Sequence, residues 1–574
     1  MEVISSIYNS GYNIKKFYLG SRELNLAYLG NQVIYDEAIG DNDLNYILYE
    51  FYGSDTLPNT VEAPVKRAIL KGNTLVNLFE FTEPITVMTD RVRLFSSDNF
   101  KNNLLNGTYT IINTSNKKIA LDINNKSTGV WEKTVTLLGG QKTSVVFDNA
   151  YIRMASFSFS EGWSNDNLEE IKCSLVVLNG EHTNIDIPYF EGMQSVKMPG
   201  LITTGKNLIG RYEKIVYRSG RAQDGATLDN DGNFTFVGAA GNRPCLVYKI
   251  NPNTDITVSS NISLKYMDIY EYSDIPNFTR ENEPNMIKEY NYIGNQKIIT
   301  RTTSEGAKYI GISFYNDSNT TGYTNLQLEY GSQATVHESY KSNILTVNEP
   351  IELRGIGDVK DELNLLTGEV TQRIRKIVLD GSQNMDADGQ GIFIQVDDMK
   401  KVEDYRTIIT CDKLPVFYHQ WDLPNVENGI TGYHDEENKY PSQNWLYIKI
   451  NNSIDVDEVR QILTQNPITI QYELSVESIK TVDLTIVDQD GKTINKLNSF
   501  NGTTHVSTDV AENSAYPMVS LEVASELQAA MSKVTEDIEL IKPVQNDIET
   551  TIDTQSNDID SLLLATTELF EMFL

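Results

Sequence analysis

The chain has 574 residues, a hydrophobic fraction of 40% and a formal net charge of −31, which suggests about four domains with packed cores. The acidity excludes nucleic acid as the main ligand, because phosphate binding needs clustered Lys and Arg, and it suits solubility in a repetitive assembly. The 31 Tyr and 19 Phe, with Gly and Asn at turn-like positions, favour strands over helices.

The opening MEVISSIYNSGYN lacks the basic start and apolar core of a secretory signal. No apolar run approaches the roughly 20 residues of a membrane span, so a soluble chain without membrane insertion is expected. Residues 1–40 read as an attachment segment. Tyr18-Leu19-Gly20 and Tyr28-Leu29-Gly30 sit ten residues apart, and each reads as a strand ending in a Gly turn. Two readings stay open: an ordinary hairpin, or a docking piece that adds to another subunit.

Residues 41–204 read as a first β-domain. In IKCSLVVLNGEHTNIDIPYFEG Cys173, Leu175 and Val177 alternate, Asn179-Gly180 supplies a hairpin turn, and Ile185 and Ile187 alternate on the return. Residues 205–342 are again β-rich. Asp229-Asn230-Asp231-Gly232 precedes a strand at Phe234. From Ile256 to Tyr266 apolar side chains hold the even positions with Ser260 the one exception, and Ile310, Ile312 and Phe314 share a face. Strands recurring between Gly and Asn turns predict a sandwich or jelly roll.

Residues 343–516 read as a third β-domain with strands in KIVLDGSQNM, FIQVDDM, WLYIKINNSI and ITIQYEL. Inside it DVDEVRQILTQ predicts a helix, with Val459, Ile462 and Leu463 on one side. After Pro517 the pattern turns helical to Leu574. There Val534, Ile538, Ile541, Ile548, Ile552, Ile559, Leu562 and Leu569 fall in a register of alternating steps of four and three whose intervening positions Gln545, Gln555 and Thr566 are polar, the spacing of a coiled coil. Isoleucine at both a and d favours three strands, so a homotrimer is expected. Pro543 interrupts this segment, and no Lys or Arg follows Lys542.

Three segments occur in order: IDIPYFEGMQSVKMPGLITTGKNL (Ile185 to Leu208), LQLEYGSQATVHESYKSN (Leu326 to Asn343) and DELNLLTGEVTQRIRKIVLDGSQNM (Asp361 to Met385). With the YLG-rich start and acidic helical end, they resemble the baseplate and tail-fibre minor structural proteins of tailed phages infecting Gram-positive bacteria. The resemblance implies a virion protein whose modules, notably 205–342, are similar to carbohydrate-binding β-sandwiches. It implies other tail proteins as partners, and synthesis in the host cytoplasm followed by action at the host surface. In that group LQLEYGSQATVHESYK looks like the last strand of a module and the exit to the next, which gives His337 and Glu338 a structural role.

Little catalytic chemistry is spaced in the sequence. His182, His337, His419, His434 and His505 are never three or four apart, so helix-borne zinc spacing is missing. Cys173, Cys245 and Cys411 form no CxxC and read as buried thiols. Three DxDG turns begin at Asp229, Asp386 and Asp488. The position that an EF-hand fills with Glu holds Ala240, Asp397 and Ser499, so turns without metal are expected, and no cofactor. Trp131, Trp163, Trp421 and Trp445 read as anchors of separate modules. The glycan-facing candidates are Tyr270 and Tyr272 in KYMDIYEYSD, at the rim of their module. The reading is therefore a mainly β chain of sandwich modules ending in a coiled coil, a non-enzymatic structural part of a tail tip. The alternatives are a receptor-binding protein for cell-wall glycan and a wall-polysaccharide depolymerase.

Overall fold

The computed structural model of the chain describes residues 8–9, 12–13, 27–29, 32–35, 46–79, 86–87, 91–95, 105–115, 117–125, 127–158, 171–183, 187–217, 226–235, 244–262, 267–276, 285–292, 296–314, 322–387, 391–400, 408–417, 428–433, 445–511, 514–524 and 550–567. Strands dominate these residues, as aromatic and β-branched content predicts. The predicted internal helix is present at Val456–Gln465, N-capped by Asp455, which accepts from the backbone N–H groups of Asp457 and Glu458. Val459 and Leu463 are its buried side.

The strands do not fall into modules in series. A central sandwich is assembled from four separated stretches of chain. One sheet runs in the order Thr493–Ile494, Leu484–Asp488, Ser342–Val347, Gly200–Thr204, Gly502–Asp509, Ser54–Thr60. A nine-stranded sheet includes Tyr46–Tyr52, Met518–Ala524, Arg67–Lys71 and Glu362–Asn364 as neighbours. Leu57, Leu201, Leu345 and Val506 from the first sheet share one core with Leu70, Leu363, Val519, Leu521 and Val523 from the second. Each such side chain, once buried, contributes about 1.5–3 kcal/mol. This corrects the serial order of 41–204, 205–342, 343–516 and 517–574, since the scaffold sheets combine strands from before 205, after 341 and after 517. It also corrects the helical segment 517–574: Met518–Ala524 is a strand, paired with Tyr46–Tyr52 on one side and Arg67–Lys71 on the other.

Three inserts grow out of this scaffold, each with its own core. The first spans Phe79 to Val177, the second Leu208 to Tyr340 and the third Leu379 to Tyr472. Each leaves and returns through antiparallel neighbours. Val76 pairs with Met193, Thr204 with Ser342, and the long strand Glu369–Leu379 with Ile468–Thr481. An insert can be added this way without breaking the scaffold's ladder, because the two ends already lie one strand spacing apart.

The strand Leu175–Asn179 shows what this does to local patterns. It pairs with Leu105–Asn113, not with the return expected after Asn179-Gly180. Among the described residues following Gly180, 181–183 and 187–190 are not in strands. Leu175 and Val177 face the first insert's core, whereas Val176 and Leu178 face the scaffold's. Both faces are buried, so no polar alternation marks the strand. Cys173, expected to be buried, is exposed, while Cys245 and Cys411 are buried.

At the N-terminus, Ala27–Leu29 and Gln32–Tyr35 pair with each other, and Gln32–Tyr35 joins Tyr46–Tyr52 at the edge of the nine-stranded sheet. Tyr28 and Leu29 of the second YLG are thus strand residues of the scaffold sheet; Gly30 and the first YLG, Tyr18 to Gly20, lie outside the described residues. Of the coiled-coil positions, Val534, Ile538, Ile541, Ile548 and Leu569 also lie outside them. Residues 550–567 form a helix exposed along its whole length, with Ile552, Ile559 and Leu562 at 58%, 65% and 68% exposure.

Candidate functional site

In a scaffold that carries inserts, the groups that fix each insert's position are the first place to look for function. At the neck of the first insert, Asn77 is buried. Its Nδ2 donates to the carbonyls of Leu175 (3.2 Å) and Phe190 (2.9 Å). Its Oδ1 accepts from the backbone N–H of Val177 (3.0 Å) and of Phe79 (3.2 Å). One amide uses its full capacity to tie the outgoing strand to the returning one.

At the neck of the third insert the ladder slips between Gln372 and Ile374, a bulge that frees two backbone donors. The fully buried Asp361 takes both, from Arg373 (2.7 Å) and Ile374 (2.9 Å), and also the N–H of Arg354 at 3.0 Å. The Arg354 guanidinium stands 3.6 Å away. Burial raises the Asp361 carboxyl pKa, while the three N–H donors and Arg354 pull it down.

The second insert meets the scaffold over a broader polar joint. Arg211 donates to Ser507 Oγ at 2.7 Å, and the ring of Tyr330 meets that of His505 edge-on, centroids 5.3 Å apart. His505 is buried, and its Nδ1 lies 2.9 Å from Thr56 Oγ1. Burial, with the Arg211 charge behind it, pushes the imidazole pKa down to about 4. Two of the three DxDG turns face each other here: Asn230 donates to Asp490 at 2.7 Å. The residues between Asp386 and Gly389 are described only in part, and among the described residues no group of three or more acidic, His or Cys side chains could hold a metal.

The segment Gln327 to Tyr340 belongs to this joint. Leu326 and Leu328 are core and Tyr340 is buried, but Gln327 and Glu329, which alternate with the two leucines and so read as outward-facing, are buried too. Glu329 accepts from Thr335 Oγ1 (2.7 Å), from the Thr335 N–H (2.9 Å) and from Gln327 Nε2 (2.9 Å). Gln327 Oε1 takes the N–H of Glu338 at 3.0 Å. Lys206 bridges to Glu338 at 2.9 Å, and Asn325 Nδ2 approaches His337 Nδ1 at 3.4 Å. Burial pulls the His337 pKa down. The polar side chains spend their hydrogen bonds on closing the insert, which is a structural role.

Tyr270 and Tyr272 do not face a sugar. Both are 0% exposed, and the Tyr270 hydroxyl donates to the buried Asp268 at 2.8 Å. The strand Asp255–Ser259 keeps Ile256 and Val258 inside, but a new strand, Met267–Tyr272, restarts with odd residues Met267 and Ile269 in the core. The even set predicted through Tyr266 therefore does not continue, and Ile262 is exposed. Gly311 is the register partner of Tyr270. A Cβ there would meet Cys245 Sγ at 2.7 Å and the Tyr272 ring at 3.1 Å, so the glycine leaves the room Tyr272 fills.

Two aromatic groups escaped the sequence reading. In the third insert Phe393 and Tyr447 stack at 4.8 Å and 11°, with Trp445 edge-on to Phe393 at 6.4 Å. Phe393 and Tyr447 are buried, so this is a second small core on the outer side of the sheet, with the half-buried Trp445 and Phe417 packed against it. In the first insert Trp131 is 58% exposed, not an anchor. Its signal in the sequence was its place two residues after Gly129, followed by Glu132, Lys133 and Thr134 rather than apolar residues. Trp163 and Trp421 lie outside the described residues.

No protein-family description matches the sequence, and no curated protein matches it. Among solved structures, a fucolectin from striped bass serum is similar over 44% of this chain and 85% of its own, at 10% identity and a TM-score of 0.16. Allantoicase from Saccharomyces cerevisiae is similar over 42% and 77%, at 7% identity and a TM-score of 0.15. An M60 catalytic domain with two CBM51 domains from Clostridium perfringens covers 78% of this chain and 55% of that one, at 10% identity and a TM-score of 0.11. Overlap at this level leaves function to be read from the chain's own residues.

Proposed function

We propose that the chain is a non-enzymatic structural component of a phage tail tip, in a baseplate or tail fibre, that attaches to the tail and presents β-modules toward the host surface. The observation that carries this reading is the architecture: one discontinuous sandwich bearing three inserts, each fastened at its neck by buried polar groups. Such a body suits holding several modules in fixed relation to one another. The ordered resemblance of three segments to tail proteins supports the virion setting. The exposed apolar side chains of the C-terminal helix favour self-association, as a trimer, and other tail proteins are the remaining partners. The buried carboxylates Asp268, Asp361 and Glu329 are engaged in internal hydrogen bonds, which favours structure over hydrolysis.

Purified virions of the phage encoding this chain should contain it, and gold-labelled antibodies raised against residues 205–341 should mark the distal end of the tail. A chain missing from virions, or gold on the capsid, overturns the reading. A second function, recognition of host-wall glycan, is favoured by one observation: the exposed indole of Trp131.

A further inference from the structure

We propose that the outer face of the first insert carries a pyranose-binding site centred on Trp131, Thr134 and Asp122. The strand Trp131–Leu137 pairs with Ile119–Asn125 alone, so its other edge is open among the described residues. The register brings Thr134 opposite Asp122 and Trp131 opposite Asn124, skipping Glu132. That skip is a bulge, a device that re-aims side chains at sheet edges.

The indole is exposed but not loose. Its one polar atom, Nε1, donates to Thr134 Oγ1 at 3.2 Å, and Thr134 Oγ1 donates in turn to Asp122 Oδ1 at 2.8 Å. The ring is thereby held at its edge while its face stays open. A sugar ring offers a patch of C–H groups on one face and hydroxyls around its rim. The C–H patch suits the negative face of an indole, and a rim hydroxyl can donate to Asp122, since a carboxylate accepts more than one donor.

A second observation lies in the same cross-strand row. Asn124 is 2% exposed and donates to the Gly129 carbonyl at 2.7 Å, while its Oδ1 has no hydrogen-bond partner among the described residues. Buried side-chain oxygens are rarely left so. The turn that delivers Trp131 is itself fastened: Asn125 Nδ2 donates to Glu132 at 2.9 Å and Asn149 Nδ2 to Ser127 Oγ at 2.6 Å. Size selects the occupant. A specific protein partner needs more than about 1,000 Å² with an apolar centre. Val130 beside the indole is exposed as well, but one indole and one valine bordered by Thr134, Asp122 and Glu132 are the scale of a single sugar ring, not of such an interface. Weak binding suffices where linked copies add avidity of about 10² to 10⁴.

The site rests on the host-surface reading of the chain, and its test can fail separately. The full-length protein is run by native affinity electrophoresis through gels containing dextran, glycol chitosan or soluble starch, and is mixed in parallel with isolated Gram-positive walls. Wild type should be retarded in at least one gel. Trp131→Ala should lose at least tenfold in affinity there, Trp131→Phe less, and Thr134→Val, which frees the indole without removing it, several-fold. Unchanged circular dichroism of the variants keeps the comparison about binding. Equal retardation of wild type and Trp131→Ala places binding elsewhere and overturns the site while the host-surface reading stands. A wild type that binds neither polysaccharide nor wall overturns both.

Discussion

Single residues set the necks of the inserts, and two of them make measurable claims. Asp361 is a buried acceptor for three backbone donors. Asp361→Ala should destabilise the folded chain by about 3–5 kcal/mol, because a buried charge partner and three donors lose their acceptor together. Asp361→Asn keeps an acceptor oxygen and should cost less than half of that. Urea unfolding followed by tryptophan fluorescence decides it, and equal losses in the two variants would show that one neutral acceptor oxygen does not replace the carboxylate. His505 makes a claim about pH. Its pKa falls from the ordinary 6.5 to about 4 on folding. The unfolded chain therefore takes up a proton as pH drops through 6.5, and the folded chain only near 4. Stability is full above 6.5 and is lost progressively down to about 4, amounting to about 2 kcal/mol at pH 5. The groups facing the ring are Thr56, Tyr330 and Arg211, and the cation adds to the penalty. His505→Gln should remove this share of the acid loss, read as the difference in urea midpoint between pH 7.5 and pH 5. An identical loss in the variant would assign the acid sensitivity to carboxylates instead.

At the scale of elements, the paired entrances of the inserts have a consequence for engineering. Thr204 and Ser342 are register partners, and the Gly205 N–H donates to the Lys341 carbonyl at 3.0 Å. Gly205 and Lys341 are thus the hydrogen-bonded pair that a two-residue turn needs, and replacing residues 206–340 by Asn-Gly joins them in a hairpin, for which Asn-Gly is the favoured turn. The shortened chain should fold and melt cooperatively, losing only joint contacts such as Arg211 to Ser507 and Tyr330 to His505. The excised fragment from Gly205 to Ser342 should also fold, since its core from Leu208 to Tyr340 is its own and it is domain-sized. Circular dichroism melts of both pieces test this, and a scaffold that fails to fold without the insert would mean that the joint, not the sandwich core, holds it together.

For the whole molecule the open question is copy number. With Ile552 and Ile559 at a and Leu562 at d, the acidic side chains Asp553 and Asp560 fall at b, pointing away from a seam, and Asp558 at g meets Leu563 at e rather than another acid. The exposed helix at 550–567 can therefore self-associate without like charges crossing the interface there. A cut at Ser520 would sever the scaffold strand Met518–Ala524, so the deletion has to start later. The full chain should sediment as a trimer at moderate salt and a chain ending at Ala530 as a folded monomer. A full chain that stays monomeric at all concentrations rejects the trimer. One that stays trimeric after the truncation moves the contact into the β-body.

What the sequence determined by itself is what neighbouring residues decide together. The helix at Val456–Gln465 was readable because its cap and its i, i+3, i+4 side chains lie within one stretch. The core face Ile310, Ile312, Phe314 was readable because a strand's period is two. Mainly β character followed from composition. The tertiary structure alone decided the insertion topology, because pairings such as Val523 with Ile47 join residues whose local sequences carry no mark of each other. It also decided which strands are buried on both faces. That is why alternation misplaced Gln327 and Glu329, and why Tyr270 and Tyr272 lie inside while Trp131, in a polar stretch at an open sheet edge, lies in solvent. Burial depends on what the rest of the chain stacks against a face, and that is settled only when distant strands have paired.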